Sequence, residues 1–102
     1  MHTNYIHRGV FIAKKKSILI IEDEANIANA QKLILGNEYS VSIANDGESG
    51  LDKVKTLKPD LIILDLMLPN RGGYDVCFTI RQDPNLCHTK ILMVTALTPQ
   101  ID

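Results

Sequence analysis

The sequence contains no tryptophan, two cysteines, four prolines and only 5% aromatic residues. Two cysteines among 102 residues cannot build a disulfide scaffold, so an apolar core must hold the fold. Cys77 and Cys87, even taken with His88, match neither the ligand number nor the spacing of structural zinc. Long apolar stretches are missing too. The longest uninterrupted runs are four residues, as in Ile18–Ile21, Leu61–Leu64 and Ile91–Val94. A membrane-spanning helix needs about 20. Val10–Ala13 is too short for the apolar core of a secretory signal, and it precedes the lysines instead of following them. No repeat or low-complexity tract appears. A soluble cytoplasmic domain is the expectation.

What is present is an ordinary globular balance, with 45% hydrophobic and 23% charged residues. The length allows one domain, and roughly 60–65% of the unfolded surface can be buried at this size. The net charge of −1 predicts no generic attraction to nucleic acid. The charge is unevenly distributed, however. Arg8, Lys14, Lys15 and Lys16 give the start of the chain +4, and everything after Lys16 sums to −5. Residues 1–15 therefore read as a basic, flexible, solvated leader, and 16–102 as the folded domain.

Beyond the leader, Ser17–Ile21 is a short β-branched run, the mark of a strand buried on both faces. Ile27, Ala30, Leu33 and Ile34 then recur at helical spacing up to Gly36-Asn37. Tyr39, Val41 and Ile43 alternate with serines, as in a strand nearer a sheet edge. After the turn at Asn45-Asp46-Gly47, Leu51, Val54 and Leu57 predict a second amphipathic helix closed by Pro59. Leu61–Leu64 is another buried strand. Tyr74, Val76, Cys77 and Ile80 predict a third helix, and Ile91–Val94 a last buried strand. Strands and helices alternating in this way argue for an α/β fold, a parallel sheet with helices on both faces. Thr98-Pro99 has the form of a helix start close to the end of the sequence, so an incomplete domain is expected.

Ligand sites of parallel α/β sheets gather at the carboxyl ends of the strands. Three strands here end in polar residues: Glu22 and Asp23, then Asp65, then Thr95. Converging carboxylates repel, and a cation or a proton must neutralise them. A few oxygen ligands with open positions suit Mg²⁺, which keeps several waters and joins protein to phosphate. Thr95 offers a hydroxyl donor to a phosphoryl oxygen. Each residue alone has a plainer reading. Asp23 and Glu24 could favour the positive end of the first helix, Asp65 could cap the loop that follows, and Thr95 could be a strand-end hydroxyl. Their joint occurrence after separate strands favours a site.

The stretches ILIIEDE (Ile18–Glu24), NDGESGL (Asn45–Leu51), PDLIILDLMLPNRGG (Pro59–Gly73) and ILMVTA (Ile91–Ala96) resemble the receiver domain of two-component response regulators. The resemblance covers residues 16 to 102. It implies a flavodoxin-like doubly wound sheet of strand order 2-1-3-4, with a fifth strand and the last helices not matched in this sequence. It further implies that Asp65 accepts a phosphoryl group from a sensor histidine kinase or phosphotransfer protein. Glu22, Asp23, Asp65 and the backbone carbonyl of Met67 would hold Mg²⁺ or Mn²⁺. Thr95 would turn toward the phosphate on activation, and Ala96 would be the small residue giving access to it. Such a domain is a switch that assists its own phosphorylation and dephosphorylation, and is not a dedicated enzyme.

Two departures from that pattern stand out. Glu22 occupies a position where many members carry aspartate, and no residue matches the lysine that pairs with acceptor and phosphate. Lys90 precedes the last strand and is expected at the opposite end of the sheet. An apolar edge at Ile91–Val94 would be a template for pairing between copies, so a homo-oligomer with reduced stability is expected. The run Gly9–Ala13 is a further candidate for covering that edge. Two other functional readings remain: a receiver-like interaction module that binds Mg²⁺ without turning over phosphate, and a haloacid-dehalogenase-type phosphatase. The second needs another aspartate two residues after the nucleophile, where this sequence has Met67.

Overall fold

The structure, a computed structural model, describes residues 4–7 and 10–95. The chain begins with β1 (Asn4–His7) and β2 (Val10–Ala13), followed by β3 (Ser17–Ile21), α1 (Ala25–Leu35) and β4 (Ser40–Ala44). Then come α2 (Gly47–Leu57), β5 (Leu61–Asp65), α3 (Gly73–Gln82) and β6 (Lys90–Val94). β1 and β2 pair antiparallel as a separate two-stranded sheet, with Tyr5 opposite Ile12. The described residues of the basic leader form this hairpin. The β-favouring Val10-Phe11-Ile12 run finds its partner in Asn4–His7 and not at the edge of the main sheet.

The remaining strands form one sheet in the order β4-β3-β5-β6, with every neighbouring pair parallel. Counting only these four strands, this is the expected order 2-1-3-4. Parallel neighbours cannot be joined by a tight turn, so each helix serves as a crossover. Ser17 and Asp60 register the starts of the two central strands, the Ser17 amide donating to Asp60 Oδ2 at 2.7 Å. That hydrogen bond holds the Asp60 carboxyl below its usual range.

Side chains alternate along each strand and so feed two cores. Leu19, Ile21, Ile62 and Leu64 pack with Leu51 and Val54 of α2 and with Val76 and Ile80 of α3. Ile18, Ile20 and Ile63 face the other way and pack with Ala28 of α1. The central strands are buried on both faces, as their unbroken apolar runs predict. α2 starts on Asp46, whose side chain accepts from the Ser49 amide at 2.8 Å, and ends at Lys58 in the left-handed region before Pro59.

Three expectations shift. α1 turns Ala28 to the core and half-buries Ile27 and Leu35, whereas Ala30, Leu33 and Ile34 face solvent, the last two 81% and 78% exposed. The apolar triplet Leu33-Ile34-Leu35 spans most of the helix circumference, so periodicity alone left its phase open. Tyr74 on α3 is likewise exposed, because Val76 and Ile80 already fill the contact with the sheet. β6, expected to be buried on both faces, has Leu92 52% exposed. Among the described residues β6 pairs only with β5, and α1 does not reach across to cover it. An open groove of about 490 Å³ lies there instead, lined by Leu35, Tyr39, Ile63 and Leu92, with Lys16 and Lys90 at its rim.

Replacing fully buried Ile80 with alanine should cost about 2–5 kcal/mol, whereas Ile34→Ala should stay within about 0.5 kcal/mol. Urea unfolding midpoints of the two variants check this, and equal losses would contradict the α1 orientation.

Candidate metal centre

β3 and β5 are adjacent, parallel and in register, with Ile21 opposite Leu64. The next residues, Glu22 and Asp65, therefore emerge side by side at the carboxyl end of the sheet. Both are buried, at 5% and 7% exposure, and Asp23 beside them is exposed. One carboxylate oxygen from each of the three residues lies within 4.8 Å of the other two.

The backbone holds these carboxylates in place. Glu22 continues the strand pairing, its amide donating to the Ala44 carbonyl at 3.0 Å. Its side chain turns back, and Oε2 accepts from the Glu24 amide at 3.0 Å. Glu24 itself is the N-cap of α1 and makes no side-chain capping bond. The carboxylate that accepts from an amide at the start of α1 is that of Glu22. Asp65 Oδ1 accepts from the Met67 amide at 3.0 Å. Gly73 starts α3 against this point; a Cβ there would collide with the Asp65 carbonyl and the Leu66 backbone.

The Glu22 carboxyl is pushed up from 4.5 to about 7, chiefly by burial and in part by the neighbouring Asp23 and Asp65, against the lowering effect of the Glu24 amide. Among the described residues the ion pairs are those of Arg71 with Glu48 and with Asp75, so no side-chain cation neutralises the cluster. Lys90 pairs with Leu61 at the start of β5, about 13 Å along the strand from Asp65 at ~3.3 Å per residue. It sits at the far end, as expected. Three hard oxygen donors without a cationic partner fit a divalent cation such as Mg²⁺. Thr95 follows Val94, the strand partner of Asp65, so it reaches the same end of the sheet, exposed to solvent. Ala96 lies outside the described residues, as does the Thr98-Pro99 helix start.

Sequence reading did not single out Arg71. In the loop after β5, its guanidinium donates to Glu48 on α2 and, at 2.7 Å, to Thr79 Oγ1 on α3. Nε meets Asp75 Oδ2 at 2.8 Å. The Arg71–Asp75 spacing of four was legible as a local pair, but Glu48 lies 23 residues away and only folding joins it.

A family profile described as "Response regulator receiver domain" matches residues 18–101. The response regulator ArlR of Staphylococcus epidermidis is 47% identical over 87 residues, covering 84% of this chain and 38% of that protein. The DNA-binding response regulator MtrA of Mycobacterium tuberculosis is 37% identical over 89 residues, covering 86% and 38%. The chain thus spans 38% of the length of these curated relatives. Among solved structures, the N-terminal domain of a response regulator receiver protein from Methanoculleus marisnigri superposes with a TM-score of 0.76 at 31% identity, over 81% of this chain and 70% of that one. The chemotaxis protein CheY4 of Vibrio cholerae superposes at 0.78 with 28% identity, over 84% and 72%.

A carboxyl raised by folding favours the folded state below about pH 4.5 and loses that contribution as pH rises through about 7. Glu22→Gln removes the buried charge. In chelator-containing buffer, the variant's melting temperature should therefore gain on the wild type at pH 8 and not at pH 5. A gain independent of pH would show that the Glu22 carboxylate is not the destabilising group.

Proposed function

Because the chain belongs to the response regulator receiver domain family, we propose that it accepts a phosphoryl group on Asp65 from a sensor histidine kinase or phosphotransfer protein. The observation that carries this reading is the packing of Glu22, Asp23 and Asp65 within 4.8 Å at the carboxyl end of the sheet. Asp65 Oδ1 is engaged by the Met67 amide, which leaves Oδ2 as the attacking atom. Its lone pair forms the new P–O bond as the P–N bond of the phosphohistidine donor breaks, and the imidazole leaves with that electron pair. The product is an acyl phosphate that water later hydrolyses.

Glu22, Asp23, Asp65 and the Met67 carbonyl would hold Mg²⁺ or Mn²⁺. When bound, the cation supplies positive charge that offsets the repulsion between carboxylates and phosphoryl oxygens. The amide of Met67 keeps the Asp65 carboxylate oriented, and burial beside apolar strand ends limits access of water to it. Thr95, exposed at the end of β6 and with no hydrogen bond from its hydroxyl among the described residues, is free to donate to the phosphoryl group. A new charge and a new hydrogen bond there bias a two-state surface, the basis of a switch. The role of Ala96 as the small access residue belongs to the same reading, as does cytoplasmic location; no helix among the described residues is long and apolar enough to cross a membrane. Among the described residues β6 pairs on one side only, which supports self-association through that edge.

A second reading, a receiver-like module that binds cation without turning over phosphate, draws on one observation. Among the described residues no lysine reaches the acidic cluster, and Lys90 stands at the opposite end. Intact mass after incubation with phosphoramidate decides between the two. Gain of one phosphoryl group, dependent on Mg²⁺ and absent in Asp65→Asn, is the expected result. Cation binding with no mass gain would select the module instead.

A further inference from the structure

The loop Leu66–Gly72 carries Met67 and joins β5 to α3. The Leu66 amide continues the sheet by donating to Val94, and Leu68 is buried in the core. Beyond Leu68 the chain turns out through Pro69 and through Asn70, whose φ of 66° is in the left-handed region. That conformation costs a non-glycine residue roughly 1 kcal/mol, asparagine being among the most tolerant. The Met67 amide on Asp65 Oδ1 and the Gly73 amide on the Leu66 carbonyl hold the start of the loop; its outer part is held by the Arg71 amide on the Pro69 carbonyl and by the Arg71 side chain.

Three features converge on that side chain. Two of its guanidinium nitrogens donate hydrogen bonds, to Glu48 of α2 and Thr79 of α3, and Nε lies 2.8 Å from Asp75 Oδ2 as an ion pair. The Thr79 hydroxyl that accepts from Arg71 donates in turn to the Asp75 carbonyl at 2.9 Å, so the acceptor is itself oriented. Gly47 at the start of α2 makes room: a Cβ there would lie 3.1 Å from the Arg71 carbonyl and 3.2 Å from its Cβ. Without the guanidinium, Glu48 and Asp75 would face the loop as unneutralised like charges. A single exposed ion pair contributes little, but a planar fork with three partners on two helices fixes geometry as well as charge.

We propose that Arg71 is a positioning residue for the acidic site: by tying the Leu66–Gly72 loop to the first turns of α2 and α3, it sets the place of Met67 and hence the affinity for a divalent cation. This inference rests on the reading of Glu22, Asp23, Asp65 and the Met67 carbonyl as a cation site. Arg71 touches none of the carboxylates in that cluster, so its action is through the loop alone.

The test is Mn²⁺ binding, followed by the electron paramagnetic resonance signal of the free ion, in the full chain and its variants at a temperature where circular dichroism shows each folded. Arg71→Gln should weaken Mn²⁺ binding about tenfold, the low end for residues that orient metal ligands. Arg71→Lys, a point charge without the fork, should recover part of that loss. Glu48→Gln, at an exposed position that threatens folding least, should weaken binding about two- to threefold. With phosphoramidate as donor, the Mn²⁺ concentration giving half the maximal phosphorylation rate should rise in Arg71→Gln, with the rate at saturating Mn²⁺ unchanged. A merely structural role would lower the melting temperature without moving that half-saturation point. Unchanged Mn²⁺ affinity in both Arg71→Gln and Glu48→Gln overturns the proposal while leaving the cation site standing. Absence of Mn²⁺ binding by the wild type, with Asp65 still phosphorylated, overturns the cation-site reading and this inference with it.

Discussion

The parallel register of β3 against β5 is the constraint on which the rest depends. Because Ile21 pairs with Leu64, the residues that follow, Glu22 and Asp65, must leave the sheet side by side. Neither strand can slip by one residue without turning an entire apolar set toward the wrong face. Ile18 and Ile20 belong to the α1 side, and Leu19 and Ile21 to the α2–α3 side. The two cores thus hold together carboxylates that would otherwise separate. The raised Glu22 carboxyl reflects first its burial at the strand end and then that enforced proximity.

The sheet has two unlike ends. At the carboxyl end, three carboxylates converge next to a loop and the exposed Thr95. At the amino end lies the apolar groove beside α1, rimmed by Lys16 and Lys90. That apolar groove is therefore not where the chemistry-bearing residues meet. The acidic end also divides its labour: rigid strand ends hold Glu22 and Asp65, whereas the adjoining loop depends on side-chain anchoring. Loops over a rigid scaffold are common places for adjustable binding groups.

Much of this was legible in the residues. The unbroken runs Ile18–Ile21 and Leu61–Leu64 identified the two central strands, since only a strand covered on both faces is apolar without alternation. The polar residues directly after them marked the site. The phase of α1 was not legible, because Leu33, Ile34 and Leu35 point in three directions and only packing against Ile18, Ile20 and Ile63 selects among them. The antiparallel pairing of β1 with β2 was not legible, because Val10–Ala13 favours a strand without specifying which stretch it meets. The exposure of Leu92 was also beyond composition, since the same apolar run serves a covered strand or an edge one.

By itself, the sequence determined the order of strands and helices, the two-faced burial of the central strands and the polar residues that end them. These follow from local properties: apolar periodicity, β-branched content and turn residues act over a few positions. Only tertiary structure decided that Glu22, Asp23 and Asp65 lie within 4.8 Å of one another and that Arg71 meets Glu48. Those contacts join residues tens of positions apart, and their geometry depends on strand order, register and helix phase together. No single stretch of chain carries that information, because each is set by what packs against it.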